Sequence, residues 1–195
     1  MIQYKKYYMP GTKEELLKTI DTIDCTYDIL AGGTDLYAKE KTPFNGADAA
    51  IDISGIKEFS VIELKKDEGL ITFGSNICIQ QFLEEKVLME NVPILRHAAI
   101  YFADQQIREM ATVGGNVANS SPSGDTIAPL TVLEAVIHTI TSKDNKICEK
   151  ETPITEFITG VGKNLLEKGE VISSITCPVL KEYGCAFKKV GLRRS

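Results

Sequence analysis

The chain has 195 residues, of which 43% are hydrophobic and 25% charged, and its formal net charge at pH 7 is −5. Its length suits one domain of good size or two small ones, and its composition is that of a globular protein. The negative charge excludes a typical nucleic-acid-binding protein. No apolar run in the sequence reaches the length of a bilayer span, so we expect no membrane association.

Five cysteines and two histidines restrict the metal, redox and nucleophilic chemistry open to the chain. The cysteines are odd in number and far apart, and they form no C-x-x-C pair. This predicts neither a disulfide framework nor a zinc or iron–sulfur site. Neither histidine lies near a plausible nucleophile in the sequence. We therefore expect buried free thiols, a cytoplasmic location, no metal site and no catalytic side chain.

Residues 1–55 carry the pattern of a small α/β subdomain. Strand-like runs alternate with two helical segments, the first of which starts with a capping box at Thr12 and Glu15. The predicted strands are residues 4–9, 27–30 and 49–53, and the second helix is predicted over residues 35–41. Strands separated by helices pair in parallel, and Ser54-Gly55 marks the predicted boundary.

Residues 56–195 carry the pattern of a larger α+β subdomain. Hairpin signals predict an antiparallel sheet with helices packed on it. The predicted strands are residues 61–65, 70–74, 134–142, 146–151, 171–178 and 185–190, and the main predicted helices are residues 79–89 and 93–102.

Residues 111–130 are unusually rich in glycine, asparagine and hydroxyl side chains. This composition predicts a sharply turning polar loop rather than a core element. Gly114 and Gly115 are expected to allow positive φ and a close approach to a bound group. Asn116 and Asn119 tolerate left-handed geometry. A helix is predicted to follow Asp125, over residues 127–133.

A second segment of this kind, Ala31-Gly-Gly-Thr-Asp-Leu36, follows the predicted strand 27–30. Two glycines and a threonine at a strand-to-helix turn form a concave set of backbone N–H groups that can hold phosphate. The segment matches neither the dinucleotide fingerprint G-x-G-x-x-G nor the P-loop. The sequence therefore predicts a phosphate site of another design, at the carboxyl end of a strand.

Together, these segments resemble the two FAD-binding segments of the flavoprotein subunits of molybdenum hydroxylases, including xanthine dehydrogenase and carbon monoxide dehydrogenase. The resemblance is carried by Ala31–Leu36, by Ala111-Thr-Val-Gly-Gly-Asn116 and by Ser121-Pro-Ser-Gly-Asp125, and it extends to residues 187–194. It implies an α+β, two-subdomain FAD-binding fold of the vanillyl-alcohol oxidase type, with FAD between residues 1–55 and 56–195. The family's C-terminal domain is expected to be absent, as in a shortened chain or an unusually short natural subunit.

The resemblance also implies which residues contact FAD. They are Ala31, Gly32, Gly33, Thr34, Asp35, Leu36, Thr112, Gly115, Asn116, Asn119, Gly124, Asp125, Ile172 and Lys188. The backbone of the first segment would surround the pyrophosphate, with the Thr34 hydroxyl as an added donor. Amides and hydroxyls of the second segment would meet the adenosine, ribityl and phosphate oxygens, and Asp125 would accept from a sugar or ribityl hydroxyl.

Four of these residues have a structural alternative. Asp35 and Asp125 are typical helix caps. A carboxylate near phosphate is unfavourable, which favours the cap for Asp35, whereas the resemblance favours the cofactor for Asp125. An apolar residue such as Ile172 is more often simply part of the core. Lys188 is either an exposed lysine on an edge strand or a positive charge beside the isoalloxazine, where it would raise the flavin potential.

The implied function is electron transfer within a larger enzyme. Electrons would leave a substrate at molybdopterin on a large subunit, cross 2Fe–2S clusters on a small subunit and reach FAD on this chain. The acceptor would be NAD, a quinone, a ferredoxin or oxygen. Two alternatives stay open: a stand-alone flavin reductase of the same fold, and a non-catalytic FAD- or dinucleotide-binding assembly module.

Overall fold

The computed structural model of the chain describes residues 4–38, 47–143, 146–181 and 183–190. Its first part alternates strands and helices as predicted: β1 (Lys6–Tyr8), α1 (Lys13–Thr22), β2 (Tyr27–Leu30), α2 (Thr34–Ala38) and β3 (Ala49–Asp52). The strands form a parallel sheet in the order β1-β3-β2. Because the strands are parallel, the segments that follow β2 and β3 leave the sheet at the same edge.

The start of α1 confirms the predicted cap. The Thr12 hydroxyl accepts a hydrogen bond from the Glu15 N–H at 3.2 Å. The Glu15 carboxylate accepts in return from the Gly11 N–H at 2.7 Å, one residue before the usual capping-box partner. This fixed start directs Leu16 and Leu17 into the core, where both are buried.

The rest of the chain builds a five-stranded antiparallel sheet with helices on it. Its first elements are a 3-10 turn (Lys57–Ser60), β4 (Ile62–Lys65), β5 (Leu70–Gly74), α3 (Gln81–Glu84), α4 (Lys86–Asn91), α5 (Pro93–Ile100), α6 (Gln105–Met110), α7 (Val113–Asn119) and α8 (Ile127–Val132). They are followed by β6 (Val136–Lys143), β7 (Lys146–Pro153), α9 (Ile154–Phe157), β8 (Ile158–Gly160), β9 (Lys163–Asn164) and β10 (Val171–Pro178). The sheet order is β4-β5-β10-β6-β7, so the last strand of the sequence lies at the centre, while β8 and β9 form a separate ribbon.

Two clusters of buried side chains form the core. The larger one includes Phe73 and Phe82, whose rings meet edge to face at 5.4 Å. The other joins Leu16 and Ile51 of the small sheet's layer to Ile140 of β6. Because this cluster contains side chains from both sheets, the small sheet shares its core with the larger one. The subdomain boundary at residue 55 stays a prediction.

Several predicted elements differ in detail from the structure. The helix predicted over 79–89 is two short helices, because Glu85 between them is extended with ψ 111°. The strand predicted to begin at 134 begins at Val136, since Glu134 takes a positive φ of 51° after α8. The described residues 183–190 contain no regular strand, contrary to the prediction for 185–190. Residues 39–41 of the second predicted helix lie outside the described residues.

All five cysteines are free thiols. Cys177 is buried, as predicted, whereas the other four are half-buried. Cys148, for example, lies on β7, the edge strand of the large sheet. In the described part of the chain, no three His, Cys, Asp or Glu side chains are grouped to hold a metal ion. No described helix has both the length and the apolar character needed to cross a bilayer.

Candidate functional site

A cleft of about 590 Å³ lies between the two sheets, a size typical of small-molecule sites. Most of the predicted cofactor residues line it: Ala31, Gly32, Gly33, Thr34, Asp35, Leu36, Thr112, Gly115, Asn116, Asn119 and Ile172. Gly124, Asp125 and Lys188 are not among the lining residues. Two segments about eighty residues apart in the sequence therefore contribute to one surface.

The two glycine segments touch at Gly32. A Cβ atom added there would lie 1.8 Å from the Met110 carbonyl oxygen and 3.1 Å from Ala111 Cα. Only glycine permits this approach, because the neighbour is backbone and cannot rotate away. The contact closes the wall of the cleft where α6 ends and α7 begins.

The first glycine segment turns directly from β2 into α2. Gly33 takes a positive φ of 69°, and its carbonyl accepts the first helical hydrogen bond from the Tyr37 N–H at 3.0 Å. The first N–H groups of a helix have no partner within the helix, and those of α2 lie on segment 34–36, which lines the cleft. Asp35 lies inside the first turn of α2, one residue after its start at Thr34, and its role as a cap or as a cofactor contact stays a prediction.

The second glycine segment is a helix rather than the predicted loop. Thr112 is the N-cap of α7, and its hydroxyl accepts from the Gly115 N–H at 3.1 Å. Neither Gly114 nor Gly115 has positive φ; instead Ser120 takes left-handed geometry, with φ 49°, at the end of the helix. A Cβ on Gly114 would lie 2.5 Å from Ser75 Cβ, so the close approach predicted there is to protein.

The stretch after α7 is held by Asn116. Its Oδ1 accepts from the Thr126 hydroxyl at 2.6 Å, which fixes the amide while the residue also lines the cleft. Gly124 packs close to the same amide oxygen, at 3.2 Å from an added Cβ. Thr126, and not Asp125, is the residue before α8, so the alternative role of Asp125 as the cap is wrong.

Asp125 forms an ion pair with Lys189, the neighbour of the predicted lysine. The distance from Lys189 Nζ to Asp125 Oδ2 is 2.8 Å, and the carboxylate side chain is only 13% exposed. Lys189 Nζ also donates to the Tyr101 carbonyl at 3.2 Å, while the Tyr101 ring meets Phe187 at 6.0 Å. Residues 183–190 are thereby attached to the loops beside the cleft, although Lys188 and Lys189 are both exposed residues.

Ile172 lies in the core and also lines the cleft, while its contact with the cofactor stays a prediction. It is 4% exposed, packs in the larger core cluster and lines the cleft. Sequence reasoning missed Ser75, Leu166 and Glu170, which also line the cleft. The one available signal was Gly74 before Ser75, since glycine within a strand often marks a close backbone approach. A Cβ on Gly74 would lie 2.0 Å from a backbone carbonyl oxygen.

Two carboxylates of the cleft wall, Asp28 and Glu170, accept hydrogen bonds from protein donors. Asp28 accepts from the Tyr4 hydroxyl at 2.9 Å; burial, followed by this hydrogen bond, raises the pKa of Tyr4. Glu170 accepts from the Thr139 hydroxyl and, at 2.9 Å, from the Glu167 N–H. These contacts make Asp28 and Glu170 structural acceptors.

One Cys–His contact was not foreseen. Cys185 Sγ lies 3.7 Å from His97 Nδ1, on the segment that follows β10. Neither residue lines the cleft. The prediction that the histidines have no nucleophile nearby is therefore wrong for His97, because residue 185 returns to α5 through the tertiary fold.

A small parallel sheet, a larger antiparallel sheet and a glycine-lined cleft between them are the features of a two-subdomain FAD-binding protein. The fold is similar to that of a chain in the structure of carbon monoxide dehydrogenase from Hydrogenophaga pseudoflava, with a TM-score of 0.90 and 26% sequence identity; the match covers 100% of this chain and 66% of that chain. The predicted α+β, two-subdomain FAD-binding fold is confirmed.

The chain belongs to the family described as "FAD binding domain in molybdopterin dehydrogenase", whose profile matches residues 2–180. Similar proteins include the xanthine dehydrogenase FAD-binding subunit of Escherichia coli, 31% identical over 167 residues, covering 85% of this chain and 56% of that protein. The nicotinate dehydrogenase FAD-subunit of Eubacterium barkeri is 28% identical over 195 residues, and the match covers 97% of this chain and 64% of that protein. The chain thus spans less than two thirds of the length of these relatives. The predicted family and its FAD cofactor are confirmed.

Proposed function

We propose that the chain binds FAD in the cleft and acts as the electron-transfer flavoprotein part of a molybdopterin-dependent dehydrogenase. The observation that carries this proposal is the contact of Gly32 with Met110 and Ala111, which joins the two glycine segments into one wall. A side chain at Gly32 would fill this junction. The backbone approach and the polar lining suit a dinucleotide with an anionic centre.

The first segment would hold the pyrophosphate. Its backbone N–H groups over residues 31–36, with the Thr34 hydroxyl, are the donors proposed for this role. Asp35 lies in the same turn, where its carboxylate is suited to accept from a hydroxyl of the ligand rather than to face phosphate. Leu36 would add apolar contact at the cleft wall.

The second segment would orient the sugar and ribityl parts. Asn116 and Asn119 line the cleft with amide groups, and Asn116 is held in place by Thr126. Thr112 already caps α7, so its proposed contribution is to fix the helix that presents Gly115. Ile172 would pack its apolar side chain against a ring of the cofactor.

The charged groups beside the cleft suggest how the cofactor would be tuned. Bound FAD supplies hydride and single-electron transfer. Asp125 and Lys189 are paired at 2.8 Å next to Gly124, so their charges largely compensate each other. The cation proposed to stabilise an anionic ring is therefore Lys188. Direct contacts of Gly124, Asp125 and Lys188 with FAD stay predictions.

The proposed partners are a molybdopterin-binding large subunit and a small subunit with 2Fe–2S clusters. Relatives named as medium chains or FAD subunits of multi-subunit dehydrogenases support this assignment. We further propose that the assembly works in the cytoplasm and passes electrons to NAD or another acceptor.

Reduction and reoxidation of the FAD-loaded chain would test the redox role. We expect dithionite to bleach the bound flavin and an added acceptor to restore its absorbance. NAD, ferricyanide and oxygen can be compared as acceptors by stopped-flow absorbance. A bound flavin that no reductant bleaches would contradict electron transfer and favour a passive assembly module.

A further inference from the structure

Ser75 occupies a fixed position at the cleft, immediately after β5. Its N–H donates to the Ser173 carbonyl at 3.0 Å, and its carbonyl accepts from the Gly114 N–H at 2.9 Å. Gly114 packs directly on it, since a Cβ there would lie 2.5 Å from Ser75 Cβ. The backbone of Ser75 is therefore fully hydrogen-bonded, and only its hydroxyl is left to bond.

The Ser75 hydroxyl is buried and has no hydrogen-bond partner among the described residues. The residue is 3% exposed and lines the cleft. Of the described side chains with a buried, unpaired polar atom, the other two, Asn76 and Tyr183, do not line the cleft. Buried hydroxyls in proteins nearly always have a partner, because leaving one unpaired destabilises the fold.

We propose that the Ser75 hydroxyl is a hydrogen-bond partner of bound FAD. This inference rests on the proposed function. Since no protein group holds the hydroxyl, rotation about the Cα–Cβ bond between staggered rotamers can turn it toward the cleft without breaking a hydrogen bond. A hydroxyl both donates and accepts, so it can serve a phosphate, a sugar hydroxyl or a ring nitrogen.

The unpaired hydroxyl predicts effects of opposite sign in the free and the FAD-bound protein. In the free protein, Ser75→Ala removes an unsatisfied buried group, so the unfolding midpoint should stay equal or rise. With FAD, the same change removes one hydrogen bond, so the dissociation constant should increase about five- to tenfold. If Ser75 had a purely structural role, its replacement would not weaken FAD binding while leaving the unfolding midpoint equal or higher.

Ser173 provides a matched control. It is a buried serine that does not line the cleft, and its hydroxyl donates to the His138 carbonyl at 3.2 Å. Ser173→Ala should lower the unfolding midpoint and leave FAD affinity within about twofold of wild type.

The experiment is FAD titration by flavin fluorescence on the 195-residue chain and both variants, with thermal unfolding without FAD. Weaker FAD binding by Ser75→Ala with an equal or higher midpoint supports the inference. Unchanged FAD affinity would overturn it, as would weaker binding accompanied by a lower midpoint. Failure of the wild-type chain to bind FAD would overturn the proposed function, and this inference with it.

Discussion

The tightest contact at the site predicts a large effect of Gly32→Ala. The added Cβ would lie 1.8 Å from the Met110 carbonyl oxygen and 2.7 Å from its carbonyl carbon. An ordinary contact needs about 3.5 Å, so the two backbones would have to separate by about 1.7 Å. The obstacle is main chain at the junction of α6 and α7, which cannot change rotamer.

Overpacking usually lowers the free energy of unfolding by about 1–3 kcal/mol. Because the obstacle here is backbone, we expect Gly32→Ala to lower it by about 3 kcal/mol. For a chain of this size, that corresponds to a fall of roughly 6–12 °C in the unfolding midpoint. Gly32→Ala should also weaken FAD binding at least tenfold, because the two segments would no longer meet in register.

Gly55→Ala is the matched control, since an added Cβ there meets nothing within 4 Å. It should change stability by less than about 0.5 kcal/mol and leave FAD affinity unchanged. Urea unfolding and FAD titration on both variants provide the comparison. If Gly32→Ala behaved like Gly55→Ala in both assays, the account of the glycine junction would be refuted.

Three further predictions concern the cap, the ion pair and a tyrosine. Thr112→Ala removes the N-cap of α7 and should lower the free energy of unfolding by about 1–2 kcal/mol in urea, with Thr112→Ser near wild type. Lys189→Ala should speed proteolysis within 183–190 while changing global stability by at most about 1 kcal/mol, whereas Lys188→Ala should not. A hydrogen bond to Asp52, followed by burial, raises the pKa of Tyr7 to about 12. The Tyr7 contribution to stability is therefore present below about pH 10 and lost between about pH 10 and 12, a loss that Tyr7→Phe should abolish in pH-dependent unfolding.

Each of these predictions has a contradicting result. A Thr112→Ala protein as stable as wild type would show that the cap does not support α7. Equal proteolysis of the two lysine variants would mean that the ion pair does not hold the segment. For Tyr7, an ultraviolet titration in which the Phe variant loses a tyrosine of ordinary pKa would contradict the assigned hydrogen bond.

The small sheet could be predicted from the sequence because its signals are local. Short apolar runs end at glycine turns, and Thr12 with Glu15 marks the start of the first helix. Each strand and helix is therefore indicated by residues that are close together in the sequence. The phosphate-type turn at Gly32 and Gly33 has the same local character. Its contact with Met110 could not be predicted, since only the tertiary fold brings the two together.

The predicted loop that proved to be α7 shows tertiary packing overriding composition. Glycine and asparagine are poor helix formers. The helix forms because Thr112 caps it and because Val113 and Val117 are fully buried. Gly114 then permits contact with Ser75, so the residue that suggested a loop is required by the packing of a helix.

The pairing of Asp125 with Lys189 rather than Lys188 could not be predicted from the sequence. In an extended segment, successive side chains point to opposite sides, so only one of the two lysines can point toward Asp125. Because Lys188 and Lys189 are chemically identical, composition does not show which one it is. Residues 183–190 contain no regular strand whose apolar alternation would reveal the inward face. Only the contact of Lys189 with Asp125 distinguishes them.

The most direct test of the central claim is a visible absorption spectrum of the purified chain after incubation with FAD and removal of free ligand, with mass spectrometry of what is released. We expect the spectrum of an oxidised flavin at about one equivalent, with FAD recovered on denaturation. A colourless protein under these conditions, with the fold intact by circular dichroism, would contradict the assignment of the cleft as an FAD site.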